Sequence, residues 1–140
     1  MAAITITAAS VLKSSTGSVS IGTAGATITQ GQAVYIDTSD SNKIKLADAN
    51  GTSPANTFAG IALNAASAGQ PVSYCTIDTG GFTIGAAVLA GDTIWLSPTA
   101  GGITKTQADL VAGCTVIALG TMLTTTTLAL NPVTGGVVAP

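Results

Sequence analysis

The chain of 140 residues offers few side chains that could perform acid–base or nucleophilic chemistry. It contains no His, Glu or Arg, and its charged side chains are four Lys and six Asp. Without His or Glu, general acid–base catalysis would fall to Asp, Lys, Tyr or Cys. No Ser/His/Asp or Cys/His arrangement can be assembled from this set. The composition therefore predicts that the protein is not an enzyme.

Neither the glycine-rich stretch nor the cysteines match a known cofactor motif. Gly22–Thr27 precedes a predicted strand rather than a helix, which argues against a phosphate-binding loop. Cys75 and Cys114 lack the C-x-x-C spacing of zinc and redox sites, so two buried free thiols are the simpler interpretation. We expect no bound cofactor.

Oxygen-bearing side chains cluster in the stretch "DTSDSN", residues 37–42. An EF-hand calcium loop needs Gly at its sixth position and Glu at its twelfth, where this sequence has Asn42 and Asp48. Asp, Ser and Asn are also the residues that a hairpin turn favours. A turn is the preferred interpretation, a calcium loop is the alternative, and no metal site is predicted.

The chain carries unusually little charge. Charged residues make up 7% of it, against about 25% in ordinary soluble domains. The net charge of −2 provides no basic surface for nucleic acid, and no apolar run is long enough to span a membrane. The N-terminus lacks the early positive charge of a signal peptide, so we expect the chain to be made and kept in a cytoplasm. Because charge normally keeps soluble monomers apart, we expect other protein chains to cover part of this surface.

Hydrophobic periodicity predicts an all-β protein. Short alternating stretches are separated by Gly, Asn, Asp and Pro, while strong helix formers are scarce. The pattern indicates a small β-barrel or sandwich of short strands. We divide the chain into an extended N-terminal arm (1–30), a β-rich body (31–131) and a loose C-terminal tail (132–140).

The body contains a degenerate internal duplication. "GQAVYID" at 31–37 matches "GDTIWLS" at 91–97, and "FAGIALN" at 58–64 resembles "CTVIALG" at 114–120. The offset falls from 60 at the first element (31 to 91) to 56 at the last (58 to 114). The predicted units span residues 31–77 and 91–130, and two copies are too few for a solenoid.

Each of the two matching strands carries one large aromatic residue. The aliphatic residues of each strand share one face, and Tyr35 or Trp95 projects from the other. In one interpretation the strands are buried on both faces, or the aromatic ring lies under a loop. In the other, the aromatic side chains contact another subunit, because such residues are enriched at interfaces. Tyr35 and Trp95 are therefore candidate interface residues.

The N-terminal arm also has two interpretations. Its two short strands, separated by small residues, form either an ordinary edge of the chain's own sheet or an extension that adds a strand to a neighbouring chain. The arm's candidate interface residues are Ile4, Ile6, Val11 and Leu12.

Four stretches in order resemble a known family. They are "ITQGQAVYIDTSDSNKIKLADAN", "FAGIALNAASAGQPVSYCT", "LAGDTIWLSPTAGGIT" and "VIALGTML". Their pattern and order are similar to those of the capsid decoration, or cement, proteins of tailed bacteriophages. The resemblance covers nearly the whole chain but contains no short diagnostic site, so no contact residue is transferred from it.

The resemblance implies a small β-rich protein that binds the exterior of an assembled phage head and stabilises it. Such proteins commonly form homotrimers at local three-fold positions and tie together subunits of the major capsid protein. The expected location is the virion capsid surface, after synthesis in the cytoplasm of the host bacterium. If the arm binds the shell, deleting residues 2–15 should weaken binding and leave the body folded.

Two other functions are considered. A tail- or fibre-associated module, or an adhesion module, would also suit strands rich in Thr, Ala and Gly. A small-ligand barrel would need a convergent polar pocket, and the scattered Lys and Asp residues do not suggest one.

Overall fold

The computed structural model describes residues 3–138, with residues 134–137 described by their backbone alone. The all-β prediction is confirmed, because the described residues form ten strands and only two 3-10 turns, Ala8–Ser10 and Gln107–Asp109. The strands are β1 (Val11–Leu12), β2 (Ser18–Thr23), β3 (Ala33–Asp37), β4 (Lys43–Leu46), β5 (Gly60–Ala62), β6 (Pro71–Ile84), β7 (Thr93–Leu96), β8 (Ile103–Thr104), β9 (Thr115–Met122) and β10 (Thr127–Val138).

Eight of these strands form one antiparallel sheet that curls into a half-barrel. Their order is β4-β3-β5-β6-β10-β9-β7-β8, and β1 and β2 pair with β6 beside this path. The sequence left a barrel and a sandwich open, and the architecture is a half-barrel. Along β7 and β9, side chains that enter the core alternate with side chains that leave it, as the sequence pattern predicts.

Strand β6 joins the two parts of the sheet. Its first half, residues 71–77, pairs with β2 and β5, and its second half pairs with β1 and β10. The sequence "DTGG" at 78–81 predicts a turn, but the strand runs through it. Gly81 has φ +123° and the register with β10 shifts between Asp78 and Phe82. The glycines therefore form an irregularity within one strand rather than a reversal of the chain.

Two groups of buried side chains stabilise the half-barrel. The main core lies against β6, β7, β9 and β10, and its largest fully buried members include Phe82, Ile94, Leu119 and Leu128. The smaller core lies inside the curl of β2 to β6, and comprises Ala24, Ile28, Val34, Ile44, Ala62, Ala66, Val72 and Tyr74. The Gly25 N–H donates to the Ile44 carbonyl at 2.8 Å and joins the two ends of this curl.

The approaches to β3 and β7 share a hydrogen-bond pattern at a constant offset of 60 along the chain. Gly31 N–H donates to the Ala62 carbonyl, as Gly91 N–H does to the Met122 carbonyl. The same offset relates the cross-strand pairs Val34↔Gly60 and Ile94↔Gly120. The sequence alignment of "FAGIALN" with "CTVIALG" predicts an offset of 56 between β5 and β9. The strand pairs instead relate β5 to β9 at an offset of 60, so the predicted offset is wrong for the strand pairing.

The N-terminal segment lies along the chain's own sheets. Ile4 N–H donates to the Ile103 carbonyl at 2.8 Å, and Thr7 N–H donates to the Gly85 carbonyl at 2.8 Å. β1 then pairs with the end of β6, and β2 pairs with its first half. Residues 3–30 thus correspond to edge strands within the single chain, and an extension to a neighbour stays a prediction.

A buried carboxylate fixes the loop between β1 and β2. Asp78 is 1% exposed and accepts hydrogen bonds from Ser14 N–H at 2.6 Å, from the Ser14 hydroxyl and from the Thr16 hydroxyl. Burial alone raises the pKa of Asp78, but these hydrogen bonds outweigh it and hold the pKa below its usual range. The charged carboxylate therefore ties the N-terminal segment to β6 at neutral pH.

The C-terminal segment differs from the prediction of a loose tail. Residues 132–138 continue β10 and pair with β9, as in Val133↔Ala118 and Val138↔Thr115. The register of this pairing shifts between Thr134 and Val138, the stretch that contains the "GG" at 135–136. The last two residues of the predicted tail lie outside the described part of the chain, as do the first two of the arm.

Candidate interaction surface

The cysteine and carboxylate side chains of the described residues do not form a metal-binding group. Within residues 3–138, no group of three or more His, Cys, Asp or Glu side chains could hold a metal ion. Both cysteines are buried, and burial raises the pKa of the Cys75 thiol to about 11. A thiol with this pKa is protonated at neutral pH and is a poor nucleophile.

The densest group of charges closes the β3–β4 hairpin. Lys45 Nζ lies 2.8 Å from Asp37 Oδ2 and 2.9 Å from Asp40 Oδ2, and the Ser39 hydroxyl donates to Asp37. The stretch "DTSDSN" forms the turn of this hairpin, and Asn42 adopts a positive φ of 58° within it. The turn interpretation is thus confirmed for this stretch, and its carboxylates are paired with lysine.

This ion pair makes the folded state sensitive to acid. Hydrogen bonds from Lys45 and Ser39 lower the pKa of Asp37 to about 2, from about 3.9 in an unfolded chain. The stabilisation is complete above the unfolded pKa and is lost as the pH falls toward 2. We expect Asp37→Asn to lower the melting temperature at pH 7, and the difference from wild type to shrink between about pH 4 and pH 2. A difference that stays constant over thermal melts from pH 7 to pH 2 would contradict this.

One exposed face of the sheet is free of ionisable side chains. We define this outer face by three rows of directly paired residues: Leu12–Thr83–Thr127, Ala129–Thr121–Thr93 and Val133–Ala118–Trp95. Directly paired residues of neighbouring strands lie on the same side of a sheet. None of the nine is fully buried, and Leu12 and Val133 are 66% and 60% exposed.

Small side chains give the outer face a shallow groove. The groove has a volume of about 330 Å³, and its lining includes Ala118, Gly120, Thr121 and Ala129. Alanine, glycine and threonine let another polypeptide approach the backbone closely without displacing strongly hydrated groups. The surface is therefore suited to contact with a protein of similar, uncharged character.

The two candidate aromatic residues occupy different environments. Tyr35 is 7% exposed and packs in the main core, while its neighbour Val34 packs in the smaller core. β3 is thus buried on both faces, and Tyr35 offers little area to a partner. Trp95 is half-buried, touches the main core and stands at one corner of the outer face.

The four candidates of the N-terminal segment also separate. Ile4 and Ile6 are half-buried against the main core, and Val11 is part of that core at 4% exposed. Leu12, the next residue, points away from the core because side chains alternate along a strand. Of the six candidates, the structure places Leu12 and Trp95 on the outer face. Contact with a partner stays a prediction for all six.

Sequence reasoning did not identify the small residues of the outer face. Neither Ala118 nor Thr121 is a residue type that by itself indicates an interface. The alternation of buried Ile117 and Leu119 with small residues in "TVIALGTM" could have indicated a sheet face that carries only small side chains. It also did not single out Ile21, which is 72% exposed on β2.

The first half of the chain matches a known protein family. A family model described as "Phage cement protein" matches residues 2–77, more than half of the chain. The match ends where β6 leaves its pairing with β2 and begins its pairing with β10. No curated protein and no solved structure matches the chain.

The described part of the chain also holds no helix that is long and apolar enough to cross a bilayer. The described residues form an all-β chain and include no group of three or more His, Cys, Asp or Glu side chains that could hold a metal ion. The chain belongs to the phage cement protein family, whose members are non-enzymatic components of the virion capsid.

Proposed function

We propose that the protein binds the exterior of the assembled phage head and stabilises the shell, with the major capsid protein as its partner. The observation that carries this proposal is the family match over residues 2–77. The uncharged outer face supports it, because a decoration protein must be soluble alone and still present one surface to the shell.

We infer that the outer face is the surface that contacts the shell. Its exposed apolar side chains include Leu12 and Val133, and their removal from water on binding is favourable. Many copies bound to one shell need only modest affinity each, because multivalency adds to their effect. A ligand that binds the assembled shell and not its separated subunits stabilises the shell by mass action.

Two finer proposals accompany this one. We propose a homotrimer on the shell, which is supported by the family resemblance, and an internal duplication of the half-barrel. The duplication is supported by the hydrogen bonds and strand pairs that recur at the same offset of 60, such as Val34↔Gly60 and Ile94↔Gly120. The mass of the shell-bound species after mild cross-linking tests the trimer.

A charge in the centre of the outer face should prevent shell binding. Thr121 is exposed, so we expect Thr121→Lys to fold normally and to lose binding to purified shells by about tenfold or more, since a buried unpaired charge costs several kcal/mol. Co-sedimentation with undecorated shells measures this. Thr52→Lys adds the same charge to an exposed loop and should bind as wild type does.

The outcomes separate the proposals. Equal binding by Thr121→Lys and wild type would overturn the outer face as the contact. Failure of the wild-type protein to bind shells would overturn the function itself, and binding to purified tails instead would favour the tail-associated alternative.

A further inference from the structure

One row of residues in the first predicted unit is covered by the rest of the chain. We call it the covered row: Ala33 on β3 pairs directly with Ile61 on β5, and Ile61 pairs with Cys75 on β6. These three side chains are at most 1% exposed and belong to the main core. Tyr35 lies two residues after Ala33, on the same side of β3, and is buried in the same core.

The row at the equivalent position of the second predicted unit is open. It is the row Thr93–Thr121–Ala129 of the outer face, on β7, β9 and β10. Its first two members lie 60 residues after the first two members of the covered row, and Trp95 lies 60 residues after Tyr35. Thr121 is exposed, while Thr93, Ala129 and Trp95 are half-buried. The same position in the sheet is therefore closed in one unit and open in the other.

The covered row shows which kind of surface closes this position. It shares the main core with the inward side chains of β7 and β9, which are Ile94, Leu96, Ile117 and Leu119. Backbone hydrogen bonds join the same parts of the chain, from Ala33 N–H to the Gly101 carbonyl at 2.8 Å and from Thr115 N–H to the Ala49 carbonyl at 2.9 Å. An uncharged sheet face rich in Ile and Leu thus closes the first unit over Tyr35.

A second copy of the chain does not have this kind of surface to offer. Within residues 3–138, the inward face of β7 and β9 already packs in one core with the covered row. The smaller core is likewise filled by its own side chains inside the curl of β2 to β6. The surface that closes the outer face therefore belongs to a different protein, which under the proposed function is the major capsid protein.

We propose that Trp95 anchors the outer face on an uncharged, aliphatic surface of the major capsid protein, which receives the indole as the main core receives Tyr35. This inference rests on the proposed function and adds the chemistry of the partner's surface. Tryptophan suits such a role, because its ring removes a large apolar area from water while its N–H can still donate a hydrogen bond.

The two threonines of the open row add a second requirement for the partner. Thr93 and Thr121 stand where the covered row has apolar side chains. A hydroxyl that leaves water without a hydrogen bond opposes binding. The partner's surface therefore combines an apolar site for Trp95 with carbonyl or hydroxyl groups opposite these threonines.

Trp95 is the single tryptophan of the chain, so its environment can be measured directly. Incorporation of 5-hydroxytryptophan during expression gives this position a fluorophore that is excited at longer wavelengths than the tryptophans of the shell. We expect acrylamide to quench this fluorophore in the free protein, and to quench it several-fold less in protein that has co-sedimented with undecorated shells.

The outcomes separate this inference from the function on which it rests. Protection of the fluorophore only in the presence of shells supports the inference. Co-sedimentation without protection overturns it and leaves the proposed function standing. Protection that rises with protein concentration in the absence of shells means that a second copy covers Trp95, which also overturns it. If the labelled protein does not bind shells at all, the function and the inference fail together.

Variants at Trp95 test whether the ring supplies affinity. Trp95→Ala should weaken co-sedimentation with shells by at least about tenfold, and Trp95→Phe, which keeps an aromatic ring, should weaken it less. Ile21→Ala is the matched control, because Ile21 is 72% exposed on β2, outside the outer face, and should bind as wild type does. Equal binding by all three variants contradicts the inference. Urea unfolding checks that each variant is folded, and the quenching measurement decides the matter if Trp95→Ala is not.

Discussion

Deleting residues 3–12 is expected to lower the free energy of unfolding by roughly 3–6 kcal/mol, a large fraction of the ~5–15 kcal/mol of a typical domain. The deletion removes Val11 from the main core, together with the half-buried Ile4 and Ile6 that pack against it. It also leaves the carbonyls of Ile103 and Gly85 without their hydrogen bonds from the segment. Urea denaturation followed by circular dichroism measures the change.

Two neighbouring point variants show whether the loss of stability comes from the loss of buried side chains or from the shortening of the chain. Val11→Ala should cost about 2 kcal/mol, because Val11 is 4% exposed. Leu12→Ala should change stability by no more than about 0.5 kcal/mol, because Leu12 is 66% exposed. Unchanged unfolding of the deletion variant, or equal costs at the two positions, would show that the segment does not belong to the folded body.

This expectation differs from the one that the sequence suggests. A short alternating segment before a Ser- and Gly-rich link resembles a detachable arm, whose removal would leave the body folded. The alternation in "ITIT" predicts a strand but does not say which core its apolar face enters. The packing of Val11 in the main core and the pairing of β1 with β6, which only the three-dimensional structure reveals, join the segment to the body.

The second large effect is expected at two glycines that occupy matched positions. A Cβ at Gly60 would lie 2.5 Å from the Cys75 carbonyl oxygen, and one at Gly120 would collide with the Ala129 carbonyl. Gly120 also has φ +146°, which side chains rarely adopt. We expect Gly60→Ala and Gly120→Ala each to lower the free energy of unfolding by roughly 2–6 kcal/mol, from overpacking and, at Gly120, backbone strain. Thermal and urea unfolding of the purified variants measure this.

Gly69 and Gly113 provide the controls. Both have a positive φ, at 90° and 92°, and a Cβ added to either meets no atom within 4 Å. Alanine there should cost only the backbone strain, about 1–2 kcal/mol. If alanine at Gly60 and Gly120 costs no more than at these two positions, close strand approach is not what requires glycine.

The sequence predicts individual strands better than their connections. "AVYID" is predicted as a strand and forms β3, and the polar residues after it form the predicted turn. "DTGG" has equally strong turn residues, yet β6 continues through it. A turn that reverses the chain and an irregularity within a continuous strand favour the same residue types. At this stretch the pairing of β6 with β10 determines that the strand continues.

The predicted repeat shows the same limitation. Shared Ile-Ala-Leu letters predict an offset of 56 for the third elements, but the common strand positions are Gly60 and Gly120. Alternating aliphatic residues fit any strand, so their identity carries little information about register. Glycine at a point of close backbone approach carries more, although its meaning is visible only in three dimensions.

The candidate surface was predictable only in part. Trp95 was identified from alternation, since it faces away from its aliphatic neighbours, whereas Leu12 was named with the other apolar residues of the arm. Tyr35 follows the same pattern but is buried, because a second core on the other side of β3 receives Val34. Whether a strand has one buried face or two depends on the curl of the whole sheet, which no local pattern specifies.

The most direct test of the central claim is the heat resistance of phage heads with and without this protein. Undecorated heads, mixed with saturating wild-type protein, should release their DNA at a higher temperature than heads alone, as measured by the fluorescence of a DNA-binding dye. Thr121→Lys at the same concentration should raise the release temperature less than the wild-type protein does. An unchanged release temperature with saturating wild-type protein would contradict the account.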